Sequence, residues 1–280
     1  MILEKAYAKI NLTLSVLGKR DDGFHELESI MVPVCDLYDE ITFEENSSDD
    51  IIIIGEEIKE NSILKAALAF QNKYHTKGAV IRYVKRIPKE AGLAGGSADS
   101  SATLRGLNRL FGLNIPLREL EELASTLGSD NVFCLYNKAA ICRGRGEKLS
   151  FIDEEFAFDI TLIKPEFGLS TKAVFSRLDL LTCGQSNNEL IIKAIIEKDY
   201  LTLTKNIHND LLQPAISIEP RLKELIEKVE LSGHKCFMSG SGSTLFVIGK
   251  LEKIDCECGF FEKHIVKNIV NDWLILKLGL

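Results

Sequence analysis

The hydrophobic pattern is clearest in the middle of the chain. Ala79–Ile87 (AVIRYVKRI) is rich in β-branched and aromatic residues and ends at Pro88, which predicts a strand. Downstream, Ala102, Leu104, Leu107 and Phe111 recur at helical spacing, and Gly112 is placed to stop that helix. Between the two lies a loop in which Gly92, Gly95, Gly96, Ser97 and Ser100 crowd the window Ala91–Ser100. Glycines let a backbone approach a ligand closely, and a helix start presents free N–H groups at its positive dipole end. Strand, glycine loop and helix together make an anion site, most often for phosphate. The same residues also suit a plain tight turn with Ser97 as N-cap and Asp99 in the first turn. Neither G-x-x-x-x-G-K-[ST] nor a dinucleotide-type G-x-G-x-x-G is present.

Around this centre the pattern predicts the other elements. Ile2–Leu17 partly alternates, a strand with a break near Ala8, and Lys9 and Asn11 share one face of it. Asp21-Asp22-Gly23 is turn chemistry, within a turn over Lys19–Ser29. Strands are expected at Ile30–Val34 and Glu40–Phe43, and Asp50–Gly55 holds four consecutive isoleucines, a buried strand. Asn61 caps a helix over Asn61–Tyr74, and Pro116–Leu127 is a second helix ended by Gly128. In Gly128–Asn131 (GSDN), Asp130 has the ordinary reading of an N-cap. Lys138–Leu149 is a strand into a turn, with Arg143, Arg145 and Lys148 close together. Helices are expected over Ser170–Leu178, Asn187–Glu197, Tyr200–Asn206 and Pro220–Leu231. Lys235–Lys250 gives two strands around Ser239-Gly-Ser-Gly-Ser243, either a connector or a second ligand wall, and Ile265–Leu278 gives a last strand.

Composition narrows the function. With 280 residues, 45% hydrophobic, the chain suffices for one large or two medium domains, and an acidic, irregular stretch near residues 151–159 marks the boundary. We expect domains over residues 1–155 and 156–280. A net charge of −7 argues against a general nucleic-acid or anionic-membrane binder, though a local positive pocket would still take a small anionic substrate. The seven cysteines show no C-x-x-C and no zinc-finger spacing, so reduced thiols in a cytoplasmic protein and no metal site are expected. No signal peptide or membrane span is visible.

Taken in order, A-K-I-N-L (Ala8–Leu12), P-x-x-x-G-L-A-G-G-S-A-D (Pro88–Asp99) and M-S-G-S-G-S (Met238–Ser243) resemble the GHMP kinase superfamily of small-molecule kinases over essentially the whole chain. D-D-G-F-H (Asp21–His25), L-G-S-D (Leu127–Asp130), the run Tyr136–Leu149 and F-G-L-S-T (Phe167–Thr171) are similar to the branch whose acceptor is a cytidine diphosphate-linked polyol of non-mevalonate isoprenoid synthesis. The resemblance implies an α+β fold, with a ribosomal-protein-like β-α-β N-terminal domain and a ferredoxin-like C-terminal domain. It implies ATP with Mg²⁺, in a monomer or homodimer.

Phosphoryl transfer asks for positioning and charge neutralisation more than covalent chemistry. By resemblance, Asp130 accepts the proton of the acceptor hydroxyl and Lys9 lies beside it as the second catalytic residue. Phe24 and His25 take the cytosine, Phe175 closes its other face, and Asn11 reaches the acceptor. Pro88, Ala91, Gly92, Leu93, Ala94, Gly95, Gly96, Ser97 and Ala98 hold ATP, with Asn61 and Lys85 near its nucleoside and Ser97 on phosphate or Mg²⁺. Four departures from the family pattern stand out: Tyr7 for Pro, Phe24 for Tyr, Lys89-Glu90 for small or apolar residues, and Asn131-Val132 for an apolar residue and Pro. The last is expected to let Asp130 drift, because proline would pre-set the backbone there. A kinase for another small alcohol, or a nucleotide-binding regulatory paralogue, would share most of these features.

Overall fold

The computed structural model describes residues 1–56, 61–180, 183–184, 186–252 and 258–268. The chain begins with β1 (Ile2–Asn11) and β2 (Thr13–Lys19), then a turn, then β3 (His25–Glu45). The break expected near Ala8 is a register shift between Tyr7 and Ala8 against β3. The two strands expected between residues 30 and 43 are one 21-residue strand. β3 bends at residues 35–37, which have no partner on β1, and this is how a single strand follows two sheet directions.

Among the described residues, β4 (Ile51–Ile54) pairs only with β5 (Ala79–Val84), in parallel. It is not buried as its four isoleucines suggested: Ile52 and Ile54 face solvent, because β4 lies at the sheet edge and presents one face outward. α1 (Ser62–Tyr74) starts on Asn61, whose side chain accepts from Ile63 N at 3.0 Å and Leu64 N at 3.2 Å. α2 (Gly95–Leu110) follows the glycine loop. Its N-cap is Ala94 in a left-handed conformation, not Ser97, which lies within the first turn.

α3 (Leu117–Leu127), α4 (Asn131–Tyr136), β6 (Ala140–Gly144) and β7 (Lys148–Phe151) complete the first half. α2 lies on β1 and β3, and its Gly106 leaves room for the fully buried Phe43. Burying a Phe side chain of this size contributes about 2–3 kcal/mol.

The second half contains β8 (Phe156–Pro165), α5 (Thr171–Ser176), α6 (Asn188–Ile196), α7 (Tyr200–Asn206), β9 (His208–Asn209), α8 (Leu212–Ile218), α9 (Arg221–Leu231), β10 (Phe237–Met238), β11 (Leu245–Ile248) and β12 (Cys258–Asn268). The helix α8 has no clear stripe in the sequence. The strand expected over Ile265–Leu278 begins earlier, at Cys258, and residues 269–278 lie outside the described residues.

The strands form one mixed sheet, in which β12 touches β3 and joins the halves. One hydrophobic cluster spans both halves, from Ile10 and Phe43 to Phe158 and Val266, and a second gathers Leu14 and Val16 with Leu211, Leu222 and Leu245. The glycine loop, the end of β1 and the Ser239–Ser243 loop meet where the halves touch.

Candidate active site

At the end of β1, Lys9 and Asn11 are held at 3% and 2% exposure. Lys9 Nζ donates to Asn11 Oδ1 at 2.7 Å and to Gly92 O at 3.1 Å, and lies 3.5 Å from Asp130 Oδ2. Asn11 Nδ2 donates in turn to Ser29 Oγ at 2.7 Å. The ammonium is therefore fixed from three sides before any ligand arrives. Asp130 heads α4, but its side chain makes no capping hydrogen bond. Its carboxylate is turned to Lys9 instead, partly exposed and free to meet a hydroxyl.

The carbonyls of the glycine loop point to the protein. Ala91 O accepts from Thr244 N at 3.2 Å, Gly92 O from Lys9 Nζ and Ser239 Oγ, and Leu93 O from Lys9 N at 3.2 Å. The side chains of Ala91, Leu93 and Ala98 are buried, so at these positions only the backbone is offered to a ligand. Gly95, Gly96 and Ser97 form the first turn of α2, whose N–H groups have no intrahelical acceptor. These N–H groups form a cradle with the donors that an anion would need. The Ser239–Ser243 loop closes against it. Gly240 packs close to Lys9 Nζ and Asn11 Oδ1, where a Cβ would come within 3.4 and 3.5 Å.

The aromatic residues also converge. The rings of His25 and Phe175 stack at 5.1 Å and 26°, bringing α5 of the second half to the start of β3. That spacing fills the gap between the two rings, so they form one continuous face and do not bracket an open slot. The half-exposed ring of Phe24 carries the Arg145 guanidinium 4.9 Å from its centre. Burial, reinforced by Lys19, holds the His25 imidazole below its ordinary range, which keeps the ring neutral near pH 7. Arg145 sits in the turn between β6 and β7, and the next residue, Gly146, lies against Asp130: a Cβ there would be 3.7 Å from Asp130 Oδ1. One turn thus connects Asp130 and the aromatic face.

Residues 61–138 match the GHMP kinases N terminal domain, and residues 191–255 match the GHMP kinases C terminal domain. A 4-diphosphocytidyl-2-C-methyl-D-erythritol kinase of Macrococcus caseolyticus (strain JCSC5402) is 42% identical over 261 residues, which is 90% of this chain and 92% of that protein. The chain belongs to the GHMP kinase family. A crystal structure of 4-(cytidine 5'-diphospho)-2C-methyl-D-erythritol kinase superposes with a TM-score of 0.77 at 31% identity, covering 88% of this chain and 90% of that one. L. major mevalonate kinase shares the fold, with a TM-score of 0.69 at 15% identity and 96% of both chains covered. The α+β architecture that the resemblance implies is the GHMP kinase fold, with a mixed sheet and helices.

Within this GHMP kinase, the departures are accommodated. Asp130 lies within 3.5 Å of Lys9 Nζ. Asn131 N donates to Gly128 O at 3.3 Å, Cys134 N to Asp130 O at 3.0 Å, and Ser101 Oγ to Asn131 O at 2.7 Å. These bonds hold the backbone that proline would otherwise have pre-set. Lys89 pairs with Glu56 at 2.7 Å, and Glu90 turns to Gly168 of the second half, near the buried Lys164. Neither charge crowds the cradle. Tyr7 sets its ring edge-on to Tyr38 at 5.4 Å.

Two residues expected near the nucleoside are occupied elsewhere. Asn61 is spent on capping α1. Lys85 is buried between Asp39 and Asp99, 2.6 Å from Asp99 Oδ2. Lys85 nevertheless stands behind the cradle, where a Cβ on Gly95 would lie 3.6 Å from its Nζ, and beside Gly96 the neighbour is Ser62, the residue after Asn61, with its Oγ 3.7 Å from the position of a Cβ.

Ser29, Asn209 and Ser239 were not anticipated. Asn209 Nδ2 donates to Met238 O at 2.8 Å and Gly240 O at 2.9 Å, which fixes the second loop. The Gly/Ser loop was the available signal, but its anchor on a two-residue strand has no pattern of its own.

The Lys85 cluster has two carboxylates for one ammonium. Burial, with Asp39 nearby, raises Asp99 to about 7 despite Lys85, and its Oδ1 is buried without a partner. The fold therefore binds a proton that the unfolded chain releases near pH 4, and stability falls as pH rises from about 4 to 7. Asp99→Asn keeps the shape and removes the surplus charge. In thermal melts the variant is expected to gain a few degrees over the parent at pH 8, with the gain vanishing toward pH 5. A constant difference across pH would contradict this.

Proposed function

We propose that this chain transfers the γ-phosphate of ATP to the 2-hydroxyl of 4-diphosphocytidyl-2-C-methyl-D-erythritol, a step of isoprenoid precursor biosynthesis. The observation that carries the reading is the Lys9–Asp130 pair at 3.5 Å, set beside the anion cradle of Gly95–Ser97. Asp130 accepts the acceptor's proton as the oxygen attacks phosphorus, and Lys9 neutralises charge that builds on the equatorial oxygens. Asn11 and Gly92 O keep Lys9 in place, so little reorganisation accompanies the step.

The acceptor class follows from the second cluster. His25 with Phe175 offers a flat face of a size to take a pyrimidine, and Phe24 with Arg145 flanks it. The turn Gly144–Glu147 spans from that face to Asp130, as a ligand with a base at one end and a polyol at the other requires.

Mg²⁺ fits this site as part of the nucleotide. Among the described residues no group of three His, Cys, Asp or Glu is placed to hold a metal, and Ser97 supplies a hydroxyl at the cradle. A hard cation bound mainly by phosphate oxygens and water needs no more. When bound with the nucleotide, it would supply neutralisation of phosphate charge.

The test is ADP release by the purified protein with Mg-ATP, with and without the cytidine diphosphate-linked polyol. Turnover that depends on the polyol is expected. Turnover with a polyol lacking the cytidine, at equal kcat/KM, would overturn the acceptor assignment, and nucleotide binding without turnover on any alcohol would overturn the kinase reading.

A further inference from the structure

Of the contacts that fix Lys9, the one to Asn11 depends on which way an amide faces. The Asn11 side chain has an acceptor end and a donor end of nearly equal shape, so packing alone does not choose between them. Turned one way, the amide accepts from Lys9. Turned the other way, it sets an N–H group against the ammonium, donor against donor. Asn11 is 2% exposed, so bulk water cannot make good a wrong choice.

Ser29 on β3 is placed to make the choice. It is 1% exposed, and its hydroxyl has a single hydrogen. That hydrogen is committed to Thr13 O, a carbonyl that can only accept. Ser29 Oγ is left with lone pairs to offer and must be met by a donor. The donor end of Asn11 meets it, Nδ2 to Oγ at 2.7 Å, and Oδ1 is thereby turned to Lys9 Nζ, also at 2.7 Å. Donation runs one way along the chain, from Lys9 to Asn11 to Ser29 to Thr13 O. It starts on a group that only donates and ends on one that only accepts, so no link can reverse by itself. Reversing the amide would break two buried hydrogen bonds at once. The far end is held as well: Thr13 Oγ1 accepts from Ile30 N at 2.8 Å and donates to Asn188 Oδ1, on α6 of the second half, at 3.1 Å.

We propose that Ser29 is a positioning residue: its hydroxyl sets the polarity of the Asn11 amide and, through it, the place of Lys9 beside Asp130. The effect on rate rests on the kinase reading above, but not on the identity of the acceptor. Ser29 acts only through Asn11, and this separates it from a residue that merely fills the core.

The test is a double-mutant cycle in steady-state kinetics with the parent, Ser29→Ala, Asn11→Ala and the double variant. Ser29→Ala is expected to lower kcat about tenfold with the ATP KM within about twofold. In the Asn11→Ala background the same change is expected to move kcat by less than about twofold, since no amide remains to be oriented. Equal losses in the two backgrounds would overturn the proposal. Ser29→Thr keeps the hydroxyl and is expected to stay within about threefold of the parent, and a loss as large as that of Ser29→Ala would also overturn it. A second readout needs no turnover. In nuclear magnetic resonance spectra of the isotope-labelled, ligand-free parent, the Asn11 side-chain amide, identified by its disappearance in Asn11→Ala, is expected to exchange slowly with water. Exchange as fast as that of an exposed asparagine would overturn the proposal even if Ser29→Ala failed to fold. A parent without turnover would count against the kinase reading alone and leave this readout in force.

Discussion

Asp130→Asn is expected to lower kcat by about 10²–10⁴-fold while both KM values change little. Asn has the shape of Asp and keeps an oxygen toward Lys9, so the site is not expected to collapse. Lys9 retains its bonds to Asn11 Oδ1 and Gly92 O whatever stands at position 130. What is lost is the ability to take up a proton. Steady-state kinetics with each substrate varied, alongside a melting curve, measures this directly. A variant that keeps kcat within about fivefold of the parent would remove Asp130 from the role of base.

The second large effect is expected at Gly92. Its φ of +71° is strained for any residue with a Cβ, and that Cβ would run into the Ser239 carbonyl, with Gly242 O 3.0 Å away. Gly92→Ala therefore forces the two Gly/Ser loops apart at the point where they grip Lys9. We expect a melting point lower by several degrees and an ATP KM raised about tenfold or more. Gly112→Ala is the matched control. Its φ is +60°, but nothing lies within 4 Å of the added Cβ, so it carries the backbone strain alone. If both variants lose stability equally and both keep the parent's ATP KM, the contact between the loops is not what holds the cradle.

Local chemistry in the sequence reached far into this site. A glycine loop between a strand and a helix is legible within a few residues, and the strand, loop and α2 lie as the pattern foretold. Asn61 could be named as a cap because capping is decided within four residues. Asp130 was different: its neighbours suit a cap equally well, and only the fold, by placing Lys9 across from it, reveals that the carboxylate is committed elsewhere. Lys85 shows the same limit from the other side. A lysine close to a phosphate loop invites a ligand role, yet its partners Asp39 and Asp99 stand 46 and 14 positions away. No local pattern announces them. The isoleucines of β4 misled because hydrophobicity reports what a residue tolerates, while exposure depends on whether another strand arrives. Even the overturned elements failed in an informative way. Two strands were read where β3 is one, since three unpaired residues at its bend interrupt the alternation.

That bend in β3 bears on what changes in chain length the protein can accept. His25 at the aromatic face, Ser29 under Asn11 and Asp39 beneath the cradle are all carried by this one strand. Adding or removing a single residue between Ser29 and Val34, or between Tyr38 and Phe43, would send every later side chain to the opposite face of the sheet. Within the stretch from Met31 to Phe43 that pairs with β1, residues 35–37 are the ones without a partner on it, and there Asp36 already reaches across to accept from Ile265 N at 3.0 Å on β12. Relatives of this chain can therefore exchange letters along β3 where the side chain is not buried. Insertions and deletions should be confined to those three positions.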